Sequence, residues 1–210
     1  MLRIVLTGGP CAGKTTLLRI LTEHFAYEPH VYFTKEVARS LLAKSNYDLS
    51  IASERVRFQT EVFVKQLLSE QIAISKYEVL VLDRGLLDGA AYWQGGRAAF
   101  LAHFQLDLSK VIARYGIVFH LESLALGTHY EQDGIRSESK AEAMELENKT
   151  KEVWRGHPRR FILPHRFSIA KKASFIIETI EKELERAHFD MAHTLKYALP
   201  LEQEENAISM

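Results

Sequence analysis

The residues Gly8-Gly9-Pro10-Cys11-Ala12-Gly13-Lys14-Thr15, with Thr16 behind them, carry the spacing G-x-x-x-x-G-K-[ST]. The chemistry this spacing serves is the capture of a polyphosphate tail. The glycines let the backbone turn tightly and aim several N–H groups at one anion. The N-terminus of a following helix adds partial positive charge at the same point. Lys14 can reach the β- and γ-phosphates, and the Thr15 hydroxyl can ligate Mg²⁺. A glycine-rich turn that matched by chance would not need a strand before it and a helix after it. Here Ile4-Val5-Leu6 reads as a buried strand, and Leu17-Leu18-Arg19-Ile20-Leu21 reads as a helix. The expected ligand is therefore a nucleoside triphosphate, ATP or GTP, with Mg²⁺.

A second group of chemical interest closes the run Val79-Leu80-Val81-Leu82-Asp83. This is an apolar strand that delivers a carboxylate at its C-terminal end, where a phosphate-loop fold needs its Mg²⁺-side acid. Thr15 and Asp83 are the expected metal ligands. Arg84 follows directly and emerges beside the phosphates; it reads as a phosphate or acceptor contact rather than a surface charge paired with an acid. Cys11 lies inside the phosphate loop. A helix N-terminus lowers a thiol pKa, which would suit a redox switch. As the chain's one cysteine it has no resolving partner, and it reads as a small residue that fits.

The elements that must position these groups alternate between strand and helix, the pattern of a parallel sheet with crossover helices. Strands are expected at Leu2–Thr7, His30–Phe33, Glu78–Leu82, Ile117–Leu121 and Phe161–Leu163. Helices are expected at Lys14–Phe25, Glu36–Lys44, Ala52–Ser75, Ala98–Tyr115, Lys140–Trp154 and Ser168–Ala187. In the long helix from Ala52, Val56, Val62, Phe63, Leu67 and Ile74 are the core candidates. Leu124–Lys140 has no apolar period and reads as a mobile loop. Residues 1–188 are expected to form one domain and 189–210 a C-terminal tail, with Glu202–Met210 disordered.

Composition sets the class. At 210 residues, 47% hydrophobic and 26% charged, the chain has the profile of a globular domain. Lys+Arg (27) balances Asp+Glu (27), which argues against a general nucleic-acid binder. A single cysteine rules out an internal disulfide and fits a reducing compartment. The first apolar stretch is too short for a signal peptide, and no apolar run approaches a membrane span. A cytoplasmic protein is expected. The histidines lack metal-ligand spacing, so no zinc site is expected.

Asp83-Arg84 after the third strand resembles the small-molecule P-loop kinases, such as thymidylate and deoxynucleoside kinases. The resemblance is closer to the NadR-like family of P-loop kinase/ATPase domains. It rests on Leu6-Thr7-Gly8-Gly9-Pro10-Cys11 through Thr16, on Glu36-Val37-Ala38-Arg39, on Leu82-Asp83-Arg84-Gly85-Leu86-Leu87-Asp88 and on Tyr130-Glu131-Gln132-Asp133-Gly134-Ile135-Arg136. It covers roughly residues 1–186. The family includes ribosylnicotinamide kinase domains of bifunctional NAD-salvage proteins and TRPL-translocation-defect-like relatives reported to bind GTP and phosphatidic acid. What the resemblance implies is a three-layer P-loop NTPase fold: α/β, with a five-stranded parallel sheet of kinase type in the order 2-3-1-4-5, helices on both faces, and a lid.

The resemblance also implies roles. Glu36 would accept the proton of an acceptor hydroxyl, a service worth ~10²–10⁴-fold; equally, it could be a capping carboxylate in a first helical turn. Arg39, three residues on, would bind acceptor groups or pair with Glu36. Asp88 would hydrogen-bond sugar hydroxyls or cap the turn before Gly89–Trp93. Tyr92 and Trp93 could stack on an aromatic acceptor, although aromatics more often belong to the core. Arg136 would close as a lid over the transferring phosphoryl group, a contribution worth ~10³–10⁵ in rate. His157-Pro158-Arg159-Arg160 and His165-Arg166 form a local basic cluster, for which contact with the nucleotide base or an anionic lipid head group, and solvated loop charge, are the competing readings.

The leading expectation is a kinase that transfers the γ-phosphoryl group to a small nucleoside-like acceptor. A nucleotide-dependent switch that binds a protein or an anionic phospholipid, and a simple NTP hydrolase, are the alternatives. No N-K-x-D guanine-reading motif occurs, which leans toward ATP. No H-x-G-H adenylyltransferase signature and no E-x-E-x-K strand occur either, so the P-loop domain is expected to stand alone.

Overall fold

The computed structural model describes residues 1–44, 46–73, 76–127 and 139–198. The chain divides into two compact units, Met1–Ala173 and Ser174–Met210.

The first unit is built on a parallel sheet. Its strands among the described residues are β1 (Leu2–Thr7), β2 (Val31–Phe33), β3 (Val79–Asp83), β4 (Ile117–Leu121) and β5 (Arg160–Leu163), in the spatial order β2-β3-β1-β4-β5. This is the expected order. The three central strands are mainly apolar on both faces because helices cover the sheet on both sides, leaving no solvent face to alternate toward. Every residue of β3 and β4 is buried, and Ile4, Val5 and Leu6 of β1 are fully so. Each such apolar side chain stabilises by ~1.5–3 kcal/mol. The edge strands are shorter and more exposed, with Tyr32 and Ile162 partly in solvent.

The helices are α1 (Lys14–His24), α2 (Val37–Leu42), α3 (Ala52–Ala73), α4 (Gly96–His103), α5 (Leu108–Ala113), α6 (Lys140–Val153) and α7 (Ile169–Ala198). A 3₁₀ turn occupies Leu86–Tyr92. Strand register sets the site. Leu6 lies opposite Asp83, and Thr7 opposite His120. The C-terminal ends of β1, β3 and β4 are therefore level, and the segments leaving them share one edge of the sheet, where ligands bind in open α/β folds.

Three expectations need correction. The single helix expected over Ala98–Tyr115 is two, α4 and α5. Gln105 adopts a left-handed φ of 52°, and Asp107 caps α5 by accepting the Lys110 amide at 3.1 Å. Phe104, which ends α4, stacks on Phe63 with centroids 4.1 Å apart.

The inner face of α3 also differs from the apolar reading. Its buried residues are Phe58, Gln66, Glu70 and Ala73, whereas Val56 is exposed. Val62, Phe63 and Leu67 are half-buried, and Ile74 lies outside the described residues. Two polar side chains face inward because tertiary partners satisfy them. Gln66 donates to the Arg84 carbonyl. Glu70 accepts from Arg114 Nε at 2.7 Å and from the Tyr115 hydroxyl at 3.0 Å.

Finally, α7 runs to Ala198, past the expected end at Ala187 and into the expected tail. Neither glycine nor proline interrupts it. Of the loop expected over Leu124–Lys140, Leu124–Leu126 forms a 3₁₀ turn and Ser139 caps α6; residues 128–138, like 202–210, lie outside the described residues. Within the second unit, Thr179 Oγ1 donates to the Phe175 carbonyl at 2.7 Å. No described helix is long and apolar enough to cross a membrane.

Candidate functional site

The segment between β1 and α1 is a wound loop. Gly8 has φ 139° and Gly13 φ 84°, values that L side chains avoid. A Cβ on Gly8 would lie 2.1 Å from the Leu121 carbonyl oxygen, so that position accepts no side chain. The loop is braced from β4, as the Ser123 hydroxyl donates to the Pro10 carbonyl and the Leu124 amide to the Cys11 carbonyl at 3.3 Å. Cys11 itself sits at φ 57°.

Lys14 is buried and folds back over the loop, its Nζ donating to the Gly8 and Gly9 carbonyls at 2.7 and 2.9 Å. Burial, and then the positive charge of Arg84, bring its ammonium down to about 7. Asp83 lies at the adjoining strand end. Burial, and then the Glu36 carboxylate, push its carboxyl up to about 6. Its Oδ1 is buried without a hydrogen-bond partner among the described residues. A buried carboxylate oxygen with no donor fits a cation. The exposed Thr15 hydroxyl lines the same hollow, of about 390 Å³, as Asp83. Asp83 and Thr15 thus fit a magnesium ion by donor chemistry, both being hard oxygen ligands.

Arg84 is strained into φ 76°, a conformation that costs of order 1–3 kcal/mol for a non-glycine residue. Its amide donates to Leu6 O at 3.0 Å and Gln66 holds its carbonyl, so neighbouring elements fix the geometry. The guanidinium lies 3.5 Å from Asp88 Oδ1, 3.7 Å from Glu36 Oε1, and 5.7 Å from the Tyr92 ring centroid. Burial opposes its charge, but Tyr92, Asp88, Glu36 and Asp83 outweigh that and hold its pKa above the ordinary value.

Glu36 occupies the N-cap position of α2, yet its side chain makes no cap hydrogen bond. It pairs instead with Arg39 at 3.4 Å and with Arg84. Asp88 is buried, and its oxygens accept from Thr7, from the Gly85 amide at 2.9 Å and from Trp154 Nε1 at 3.1 Å. It stands inside the 3₁₀ turn and holds the turn's start, rather than capping a later helix. Trp93 packs on Phe100, His103 and Phe104.

Pro10 to Thr15, Glu36, Arg39, Arg84, Asp88 and Tyr92 line one cleft of about 410 Å³. Gly8 and Gly9 lie behind it as acceptors for Lys14, and Thr16 is exposed at the start of α1. The rest of the cleft wall, including Leu42, Leu49, Phe58, Gln59 and Val62, is mostly apolar. Arg136 and the Tyr130–Arg136 stretch lie outside the described residues. In the basic cluster, His157 is buried against the Tyr115 carbonyl at 2.8 Å, Arg160 donates to the Lys151 carbonyl and His165 lies against Glu122.

Sequence reasoning missed the support beneath the loop. Glu147 on α6 is fully buried; it accepts the Gly9 amide at 2.8 Å and pairs with His120 Nε2 at 2.7 Å. Burial opposes its ionisation, but hydrogen bonds from His120, Gly9 and Ser123 hold its carboxyl below the usual range. In sequence it looks like any glutamate of a charged helix. Glu147→Ala leaves a buried histidine and a loop amide unpaired, so a loss of about 3–5 kcal/mol is expected. Urea denaturation measures it; a loss below about 1 kcal/mol, the range of an exposed pair, would refute the role.

The sequence profile of a protein family described as AAA domain matches residues 3–172. No curated protein matches the chain. Among solved structures, a deoxyadenosine kinase from M. mycoides with bound dATP is similar, at a TM-score of 0.59 and 12% identity, covering 86% of this chain and 100% of that one. The same kinase with the products dCMP and a flexible dCDP bound gives a TM-score of 0.54 at 12% identity, covering 86% and 99%. At this identity the likeness is one of fold.

Proposed function

Since the chain belongs to this AAA-domain family of P-loop NTPases, we propose that its cleft binds a nucleoside triphosphate with Mg²⁺ and transfers the γ-phosphoryl group to the hydroxyl of a small nucleoside-like acceptor. The observation that carries the reading is the partnerless buried oxygen of Asp83 close to a phosphate loop whose cleft also holds Glu36 and Arg84. Amides from Cys11 to Thr16 hold the phosphates, and Lys14 neutralises charge that develops on the transferring group. Asp83 and Thr15 would hold Mg²⁺, which supplies Lewis-acid neutralisation of the phosphate oxygens. The acceptor oxygen forms the new bond to phosphorus as the bond to the bridging oxygen breaks, and Glu36 takes the hydroxyl proton. Arg39 and Arg84 steady the Glu36 carboxylate from either side. Catalysis of this kind is mostly positioning and electrostatics.

The apolar wall formed by Phe58, Val62 and Tyr92, with Gln59 offering an amide, suits a flat ring that carries polar edge groups. Arg136 is proposed as the lid arginine, so Arg136→Ala should lower turnover far more than nucleotide affinity. The test is an acceptor screen of nucleosides, ribosylnicotinamide and nucleoside monophosphates, read by nucleoside-diphosphate release. Release that rises with one acceptor supports the reading. Release indifferent to every acceptor makes the protein a hydrolase or switch.

A further inference from the structure

A second cavity, of about 480 Å³, lies outside the cleft, against β2, α2 and the C-terminal half of α3. Val37 and Leu41 of α2 turn to it, while Ala38 and Leu42 turn to the cleft. No phosphate-loop residue lines it. Four lysines do, namely Lys35, Lys44, Lys65 and Lys76, and none of the lining side chains is acidic. Among the described residues an acid pairs only with Lys65, through Glu61 at 3.4 Å. A chain of zero net charge thus gathers four ammonium groups around one hollow. Such a concentration raises the local positive potential and attracts anions.

The hollow also has an aromatic wall. Tyr32 and Tyr77 stack with centroids 4.7 Å apart and planes 21° apart, and Tyr32 keeps 42% of its surface exposed. An aromatic ring that keeps part of its surface open to solvent can take a further ring in offset or edge-on contact. The volume falls in the range of small-molecule sites.

We propose that this cavity is a second ligand site, for a phosphomonoester carried on a flat ring, with the phosphate held by the lysines and the ring laid against Tyr32. Its existence does not rest on phosphoryl transfer in the cleft.

The test is affinity labelling with pyridoxal 5′-phosphate, a phosphorylated ring aldehyde. Its aldehyde condenses with a lysine amine, releasing water, and borohydride reduces the imine to a stable secondary amine. Peptide mapping then locates the label on the intact chain, with MgATP present to cover the phosphate loop. Labelling at Lys35, Lys44, Lys65 or Lys76 is expected to exceed that at exposed Lys149 and Lys171 by about tenfold. AMP should suppress it, and Lys65→Gln with Lys76→Gln should remove the AMP effect. Labelling spread over lysines in proportion to exposure overturns the proposal, as does protection by inorganic phosphate equal to that by AMP. Labelling of Lys14 with MgATP omitted, and its loss when MgATP is added, reports on the phosphate loop separately, so either reading can fail alone.

Discussion

Lys14→Ala is expected to lower nucleotide-dependent turnover by about 10²–10³-fold, the usual cost of removing one charge-stabilising donor from a site, while the protein stays folded. The ammonium rests on the Gly8 and Gly9 carbonyls and is positioned to neutralise charge on the transferring phosphoryl group. The fold does not need its charge. Burial and Arg84 bring Lys14 to about 7, so the folded state disfavours the protonated form relative to a solvated lysine, and its removal sacrifices little stability. Steady-state turnover and a thermal melt, measured together, check both halves. Near-normal turnover in this variant would count against the site itself.

The same lysine makes binding pH-linked. At pH 8 it is mostly neutral in the free protein, and a polyphosphate beside it restores the proton. Nucleotide binding should therefore take up protons above about pH 7.

Asp83→Asn should separate function from stability even more sharply. The Asp83 carboxyl is pushed from its ordinary 3.8 up to about 6, by burial first and the Glu36 carboxylate second. Between those two values the folded chain binds more protons than the unfolded chain, so stability falls as pH rises through the window. Above about pH 6 the whole cost is present. At 1.36 kcal/mol per pH unit, replacing the ionised group by a neutral amide should stabilise the metal-free protein by ~1–3 kcal/mol at pH 7.5. A melting temperature several degrees higher is the expected readout. The gain should vanish near pH 4, where Asp83 is already protonated. Turnover should fall at least ~10²-fold, because a neutral amide is a poor ligand for a hard cation and several kcal/mol of charge stabilisation go with the metal. A variant less stable than the parent at pH 7.5, or one with full turnover, would contradict this account of Asp83.

The legible part of the molecule was the part that backbone chemistry dictates. The loop from Gly8 to Thr16 announces itself because a polyphosphate cradle needs glycines at fixed intervals. The fully buried strand ending at Asp83 announces itself because both faces of a central parallel strand are apolar. The sheet order followed from the family resemblance, and the structure has it.

What the sequence hid are polar groups whose partners lie far along the chain. Gln66 and Glu70 look like interruptions of an apolar helix face until Arg84, Arg114 and Tyr115 arrive to satisfy them. Glu147 is indistinguishable from its solvated neighbours until α6 lies against Gly9 and His120. The helix break at Gln105 carries no glycine or proline signal. The local signal that does exist is Asp107, the N-cap of the second helix. Asp88 was legible as a carboxylate near the cleft, but not as the acceptor that ties Thr7, Gly85 and Trp154 together.

The most direct test of the central claim is calorimetric titration of the folded protein with a non-hydrolysable ATP analogue and its GTP counterpart, at pH 8, with and without Mg²⁺, in buffers of differing ionisation enthalpy. The account predicts a site strengthened by Mg²⁺, filled once per chain, and net proton uptake on binding there. A folded protein that takes up neither analogue, with or without the metal, would contradict it.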